Sequence, residues 1–131
     1  MKFYIASSLK NDEQVRRLSR LLKDAGWEHT FDWTRYCPVK ETSLELLKSI
    51  GEQEFEGIRR ADVVIVLTPK GRGTHMELGM AIALGKKVYL CHGDDTYFQC
   101  DDNTAAFYWL PQVNRLVGNT EEIAKELLKL P

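Results

Sequence analysis

The chain alternates two kinds of apolar pattern. Residues 2–6, 62–68 and 87–92 are short runs rich in β-branched and aromatic side chains, the mark of buried strands. Between them the apolar residues recur at helical spacing. Val15, Leu18, Leu22 and Ala25 follow Asn11 and Asp12, either of which can cap a helix, and Gly26 stops it. Residues 27–33 set Trp27, His29, Phe31 and Trp33 at alternate positions, which predicts a second strand nearer the sheet edge. Residues 34–40, with Tyr36 and Pro38, predict a loop, and 41–61 a long amphipathic helix. Central strand 62–68 passes through Pro69-Lys70-Gly71-Arg72-Gly73 into a helix over 74–84, with Gly85 as its stop. After strand 87–92, the stretch 93–111 is first polar and acidic, then aromatic at Phe107, Tyr108 and Trp109, and has room for one short helix. A weak strand over 112–117 follows. A last helix is capped by Asn119, with Ile123, Leu127 and Leu128 inward.

Strands alternating with helices predict a parallel sheet covered on both faces. Five strands in so short a chain predict one α/β domain over 1–131: a flavodoxin-like, Rossmann-like three-layer sandwich of order 2-1-3-4-5. Ligands bind such sheets outside the carboxyl ends of the strands, where the chain reverses direction between strands one and three. Those ends are Ala6-Ser7-Ser8 and Thr68-Pro69-Lys70-Gly71, two polar turns that should meet there.

Composition narrows the function classes. The 131 residues carry a formal charge of −1 with acids and bases interspersed, which excludes an electrostatic footprint for a nucleic-acid polymer or an anionic membrane. No apolar run approaches the ~20 residues of a membrane span. The opening residues turn polar too soon for a signal peptide, and the three cysteines, Cys37, Cys91 and Cys100, are odd in number and widely spaced. A cytoplasmic protein without a disulfide framework is expected. No paired Cys or His spacing predicts a metal site.

Two carboxylates stand out. Glu77 lies at the start of the helix after the central strand, in Gly73-Thr74-x-x-Glu77. That spacing is also a capping box, in which the glutamate would serve only the helix. Against this, the helix is apolar nearly all round, Gly71 and Gly73 leave space in front of it, and an anion at a helix N-terminus is stabilised, as suits a nucleophile. Wound at about 100° per residue, 44–61 gathers Leu44, Leu47, Ile50, Phe55, Ile58 and Ala61 on one arc. Glu54 falls inside that arc, where a carboxylate is costly unless it is paired or lines a cavity. Tyr4, in mid-strand, needs a hydrogen-bond partner for its phenol. Trp33 and Tyr36 follow the strand next to strand one, where a ring can stack on a nucleobase or simply pack. Lys70 and Arg72 flank Gly71 in a turn whose amides can receive an anion. Neither a Walker P-loop nor a dinucleotide fingerprint is present.

The segment Ala61-Asp62-Val63-Val64-Ile65-Val66, followed by Gly73-Thr74-x-x-Glu77-Leu78-Gly79-x-Ala81-x-Ala83-Leu84-Gly85-Lys86, resembles the nucleoside 2-deoxyribosyltransferase family, with residues 1–8 as its first strand. The resemblance is weakest over 93–117. It implies cleavage or transfer at the N-glycosidic bond of 2′-deoxynucleosides through a covalent glycosyl-glutamate, by the double displacement of retaining glycosidases. It places the nucleophile at Glu77, an orienting tyrosine at Tyr4, and a sugar-contacting acid at Glu54, where relatives usually have aspartate. Ser7 and Ser8 match the turn over the sugar 5′ end. An asparagine from a neighbouring subunit, best matched by Asn103, completes the pocket, so a homo-oligomer is implied. The substrate is then a small nucleoside or nucleotide with a free nucleobase as co-substrate, and no cofactor is needed.

Six residues before Glu77, where nucleoside transferases carry aspartate and related nucleotide hydrolases serine, this chain has Gly71. No acid can reach the substrate from there, whereas Lys70, Arg72 and the backbone amides of Gly71, Gly73 and Thr74 could meet a 5′-phosphate. A 2′-deoxynucleoside 5′-monophosphate N-glycosidase is therefore an alternative. The turn also resembles the P-G-G-x-G-T-x-x-E motif of lysine-decarboxylase-like phosphoribohydrolases, which are longer chains with an earlier glycine cluster. A non-catalytic nucleotide sensor is the alternative of another class.

Overall fold

The computed structural model describes residues 1–36, 43–68 and 71–131. Its sheet has strands β1 (Lys2–Ala6), β2 (Glu28–His29), β3 (Val63–Leu67), β4 (Lys87–His92) and β5 (Val113–Val117), all parallel, in the order β2-β1-β3-β4-β5. This is the expected flavodoxin-like arrangement. Helices α1 (Asp12–Asp24) and α4 (Thr120–Leu127) pack together, as do α2 (Leu44–Arg60) and α3 (Arg72–Ala83). With helices on both faces, β3 is buried at every residue and β1 at all but Lys2. Such strands need no polar alternation, which is why they read as unbroken apolar runs. Among the described residues no helix is long and apolar enough to cross a membrane.

Three departures from the expected elements bear on the site. The strand expected over 27–33 shrinks to Glu28–His29. The Thr30 amide still donates to the Phe3 carbonyl at 2.9 Å, with Thr30 Oγ1 donating to the Gly57 carbonyl at 2.7 Å, but at Asp32 the side chain takes over and Oδ1 accepts from the Thr34 amide at 3.0 Å. Such a local bond competes with a ladder. Trp33 accordingly lies in a 3₁₀ turn, Trp33–Tyr36. Residues 37–42, the rest of the expected loop and the start of the expected helix, lie outside the described residues, as does Cys37. The stretch 93–111 holds two 3₁₀ turns, Thr96–Phe98 and Ala106–Trp109, in place of one short helix.

Helix α2 is rotated relative to the arc expected for it. Gly57, Ile58 and Ala61 are buried and Leu46, Ile50 and Glu54 half-buried, while Leu44, Leu47 and Phe55 are exposed. The apolar surface of α2 is wider than one core-facing stripe. Its inner part carries Glu54 toward the sheet, and its outer part has no partner within the described chain.

Helix α3 begins two residues earlier than expected, at Arg72, with Gly71 as an extended N-cap (φ −153°, ψ 153°). Thr74 is therefore not the cap, and Glu77 sits in the second turn rather than the first.

Candidate active site

The carboxyl ends of β1 and β3 meet as the topology requires. Ser7 Oγ donates to the Leu67 carbonyl at 2.8 Å and accepts from Asn11 Nδ2 at 3.0 Å. This ties the two strand ends together and uses the Ser7 proton. Among the described residues Ser8 Oγ accepts from the Lys10 amide at 3.2 Å and donates to no partner. In front of these ends lies a cleft of about 440 Å³, lined by Ser7, Ser8, Trp33, Glu54, Glu77 and the start of α3 from Gly71 to Thr74. That is within the range of small-molecule sites, roughly 300–1,000 Å³.

Glu77 forms no capping box. The Tyr4 hydroxyl donates to Glu77 Oε2 in a short, buried hydrogen bond. Tyr4 is fully buried behind the carboxylate, and Glu77 is 7% exposed. Glu54 lines the same cleft, near enough for its charge to act on both Glu77 and Tyr4. Burial pushes the Glu77 carboxyl up to about 8, with the neighbouring Glu54 adding to the rise and the Tyr4 hydrogen bond opposing it. Burial also raises Glu54, and the Tyr4 phenol is held well above its usual value by burial and by the Glu77 charge. The Glu54 charge disfavours ionisation of Glu77, so near neutral pH Glu77 keeps its proton. The expected stabilisation of Glu77 as an anion by the helix terminus does not operate: the effect is confined to the first turn, and Glu77 lies beyond it.

Two further features of the site carried weak sequence signals. Gly57, inside α2, faces the Tyr4 ring. A Cβ there would lie 2.9 Å from Phe31 Cβ and 3.0 Å from Tyr4 Cδ2, so only glycine lets the helix approach this closely. A lone glycine within a helical pattern is the signal that could have found it. Thr74 lines the cleft with its hydroxyl buried and without a hydrogen-bond partner among the described residues. A buried orphan of this kind is rare and calls for a ligand or water.

The other expected residues divide as follows. Trp33 lines the cleft, with Nε1 donating to the Ile5 carbonyl at 2.7 Å, so its ring orientation is fixed. Tyr36 packs against Phe31 at 6.1 Å between ring centroids and does not line the cleft. Gly71, Arg72 and Gly73 line it; Lys70 lies outside the described residues. Asn103 is exposed in the turn after Cys100 and stands outside the cleft of its own chain.

The family model for nucleoside 2-deoxyribosyltransferase matches residues 3–122. The chain belongs to the nucleoside 2-deoxyribosyltransferase family. This is a family of enzymes, and its fold extends through the solved structures. A CMP N-glycosidase from Clostridium botulinum is 19% identical, covers 97% of this chain and 98% of its own, and superposes with a TM-score of 0.67. A 2-deoxyribosyltransferase from Bacillus psychrosaccharolyticus is 22% identical over 95% of this chain and 90% of its own, with a TM-score of 0.68. One from Leishmania mexicana is 19% identical over 97% and 95%, with a TM-score of 0.60. At these identities the likeness of this deoxyribosyltransferase-family chain to each structure is one of fold. A comparison with curated protein sequences gives no significant match.

Proposed function

We propose that this chain, as a single domain, cleaves the N-glycosidic bond of a 2′-deoxynucleoside with Glu77 as nucleophile and transfers the sugar to a second base or to water. The observation that carries the reading is the buried Tyr4–Glu77 bond, with Glu54 beside it, on the wall of the switch-point cleft. Tyr4 fixes Glu77 Oε2 as an acceptor and so orients the carboxylate. The proton that Glu77 keeps beside Glu54 goes to the departing base. Glu77 is thereby left ionised as its oxygen bonds the anomeric carbon and the C–N electron pair leaves with the base. The second displacement reverses these moves with the incoming base or water, and Glu54 handles the proton. Trp33 offers its fixed ring to the base, and Ser8 its hydroxyl to the 5′ end of the sugar.

A second reading is favoured by one observation. Thr74, whose buried hydroxyl has no partner among the described residues, lines the cleft beside Arg72 and the start of α3, where no side chain caps the first-turn amides. A 5′-phosphate would satisfy all three, which supports a nucleotide N-glycosidase. The CMP N-glycosidase among the structures of similar fold acts on a nucleotide.

The exposed Leu44, Leu47 and Phe55 of α2, with Met76 of α3, support a homo-oligomer in which a second copy covers this face. Asn103 would then complete a neighbour's cleft.

One incubation tests these readings. Deoxynucleosides and their 5′-monophosphates are supplied in parallel, with and without a second free base. Exchange of base identifies a transferase, and free sugar or sugar phosphate a hydrolase. Glu77→Gln should abolish base release while retaining the fold. Full activity in Glu77→Gln would remove the nucleophile, and binding without release by the unmodified protein would make the chain a sensor.

A further inference from the structure

None of the chain's three histidines takes part in this chemistry, and two of them, His75 and His92, hold the two described ends of the β3–α3 connection. We infer that segment 93–111 sets the position of the cleft-lining start of α3 through His75 and His92, acting as positioning residues.

At the α3 end, the Gly71 carbonyl accepts from the His75 amide at 3.1 Å and from His75 Nδ1 at 3.0 Å. A carbonyl cannot donate, so Nδ1 carries the proton. The neutral ring then offers Nε2 as an acceptor, and the Tyr108 hydroxyl lies 2.6 Å from it. The two rings also stack, 5.9 Å apart at 22°. Tyr108 is buried, and its own carbonyl accepts from Arg115 Nη1 of β5 at 2.8 Å. A continuous chain of contacts thus runs from the far sheet edge to the N-cap of α3. At the β3 end, the Thr68 hydroxyl bonds His92 Nδ1 and lies 3.1 Å from the Cys91 carbonyl. His92 closes β4. Its Nε2 faces Asp94 Oδ1 at 3.5 Å, and its ring meets the edge of Tyr97 at 4.6 Å. Each histidine therefore has one ring nitrogen on the connection and the other against segment 93–111. The orientation of the Gly71 carbonyl decides where the first-turn amides of α3 point, so this segment governs the rim of the cleft without lining it.

The kinetic arm of the test rests on the proposed function; the exchange arm does not. Amide hydrogen exchange is measured on the full chain without ligand. His75→Ala should speed exchange at the amides of residues 75–77 by about tenfold, and His92→Ala should do the same at the Thr68 amide, with β1 and β4 amides unchanged. Tyr108→Phe, which removes only the outer link, should act at residues 75–77 in the same direction. His75→Asn, whose Nδ2 can still donate to Gly71, should recover part of the protection. In turnover, the His75 and His92 variants should raise KM about fivefold or more while leaving kcat within about twofold. Unchanged exchange at residues 75–77 in both His75→Ala and Tyr108→Phe overturns the inference. So does acceleration spread evenly over the sheet, which would mean general loss of stability. If no variant and no parent shows activity, the proposed function fails while the exchange result still decides this one.

Discussion

In the proposed mechanism, the proton held where buried Glu77 meets half-buried Glu54 shapes both activity and stability. Both carboxyls are raised from the range near 4.3 that glutamate has in an unfolded chain, Glu77 to about 8. The native state therefore binds more protons than the unfolded state between those limits. The stabilisation associated with the pair is fully present below about pH 4.3 and is lost as pH rises through about 8. In denaturant titrations, Glu77→Gln should flatten this decline and leave the protein equally or more stable at pH 8, since a buried carboxylate is replaced by an amide that can still accept from Tyr4. The kcat/KM of the parent should fall above about pH 8 as that proton is lost. Because Glu54 is one of the groups raising Glu77, Glu54→Gln should move that descending limb to lower pH. A limb that stays in place would show that the two acids do not titrate together. The positions of these residues were legible from the chain: Glu54 in an apolar arc and Glu77 after a glycine turn. Their protonation was not, because it depends on a contact between α2, α3 and β1 that no local pattern encodes.

At the level of elements, α2 and α3 show where periodicity misleads. Thr74-x-x-Glu77 has capping-box spacing, yet the helix starts at Arg72 from a glycine that needs no side-chain cap, and both side chains turn to the cleft. The α2 arc was legible as apolar, but its rotation was not, since exposed and buried apolar residues look alike in a sequence. Gly57 fixes that rotation. Gly57→Ala should gain helix propensity but press on Phe31 and Tyr4, with a net loss of about 0–2 kcal/mol. Displacement of Tyr4 should lower kcat by about 10- to 100-fold, more than the stability change accounts for. Thermal melts alongside initial rates separate the two effects; a variant with unaltered kcat would show that Tyr4 tolerates the shift.

For the whole molecule, strand order and the location of the cleft follow from the alternation of apolar runs and helices together with the β1–β3 reversal, so they were legible early. The surface of α2 was not. Leu44, 85% exposed, with exposed Leu47 and Phe55 supports the proposed contact of this face with a second copy. Replacing Leu47 and Phe55 together by lysine should leave the core intact and yield a smaller species by sedimentation or size-exclusion chromatography. If the neighbour's Asn103 completes the cleft, activity per chain should fall with it, and in the parent it should fall on dilution. A species of unchanged size would remove this face as the interface.

The bond from Tyr4 to Glu77 joins residues 73 positions apart. That separation has a consequence for how the protein comes into being. During synthesis β1 emerges long before β3, its central neighbour, and the phenol waits for an acceptor that is made only after α2 and β3 are complete. The first half of the chain can bring Glu54 and Gly57 to Tyr4, but the Tyr4–Glu77 contact is long-range and closes late. Recovery of activity after dilution from denaturant should therefore track the slowest phase of refolding, and a nascent chain released before residue 77 lacks the proposed nucleophile.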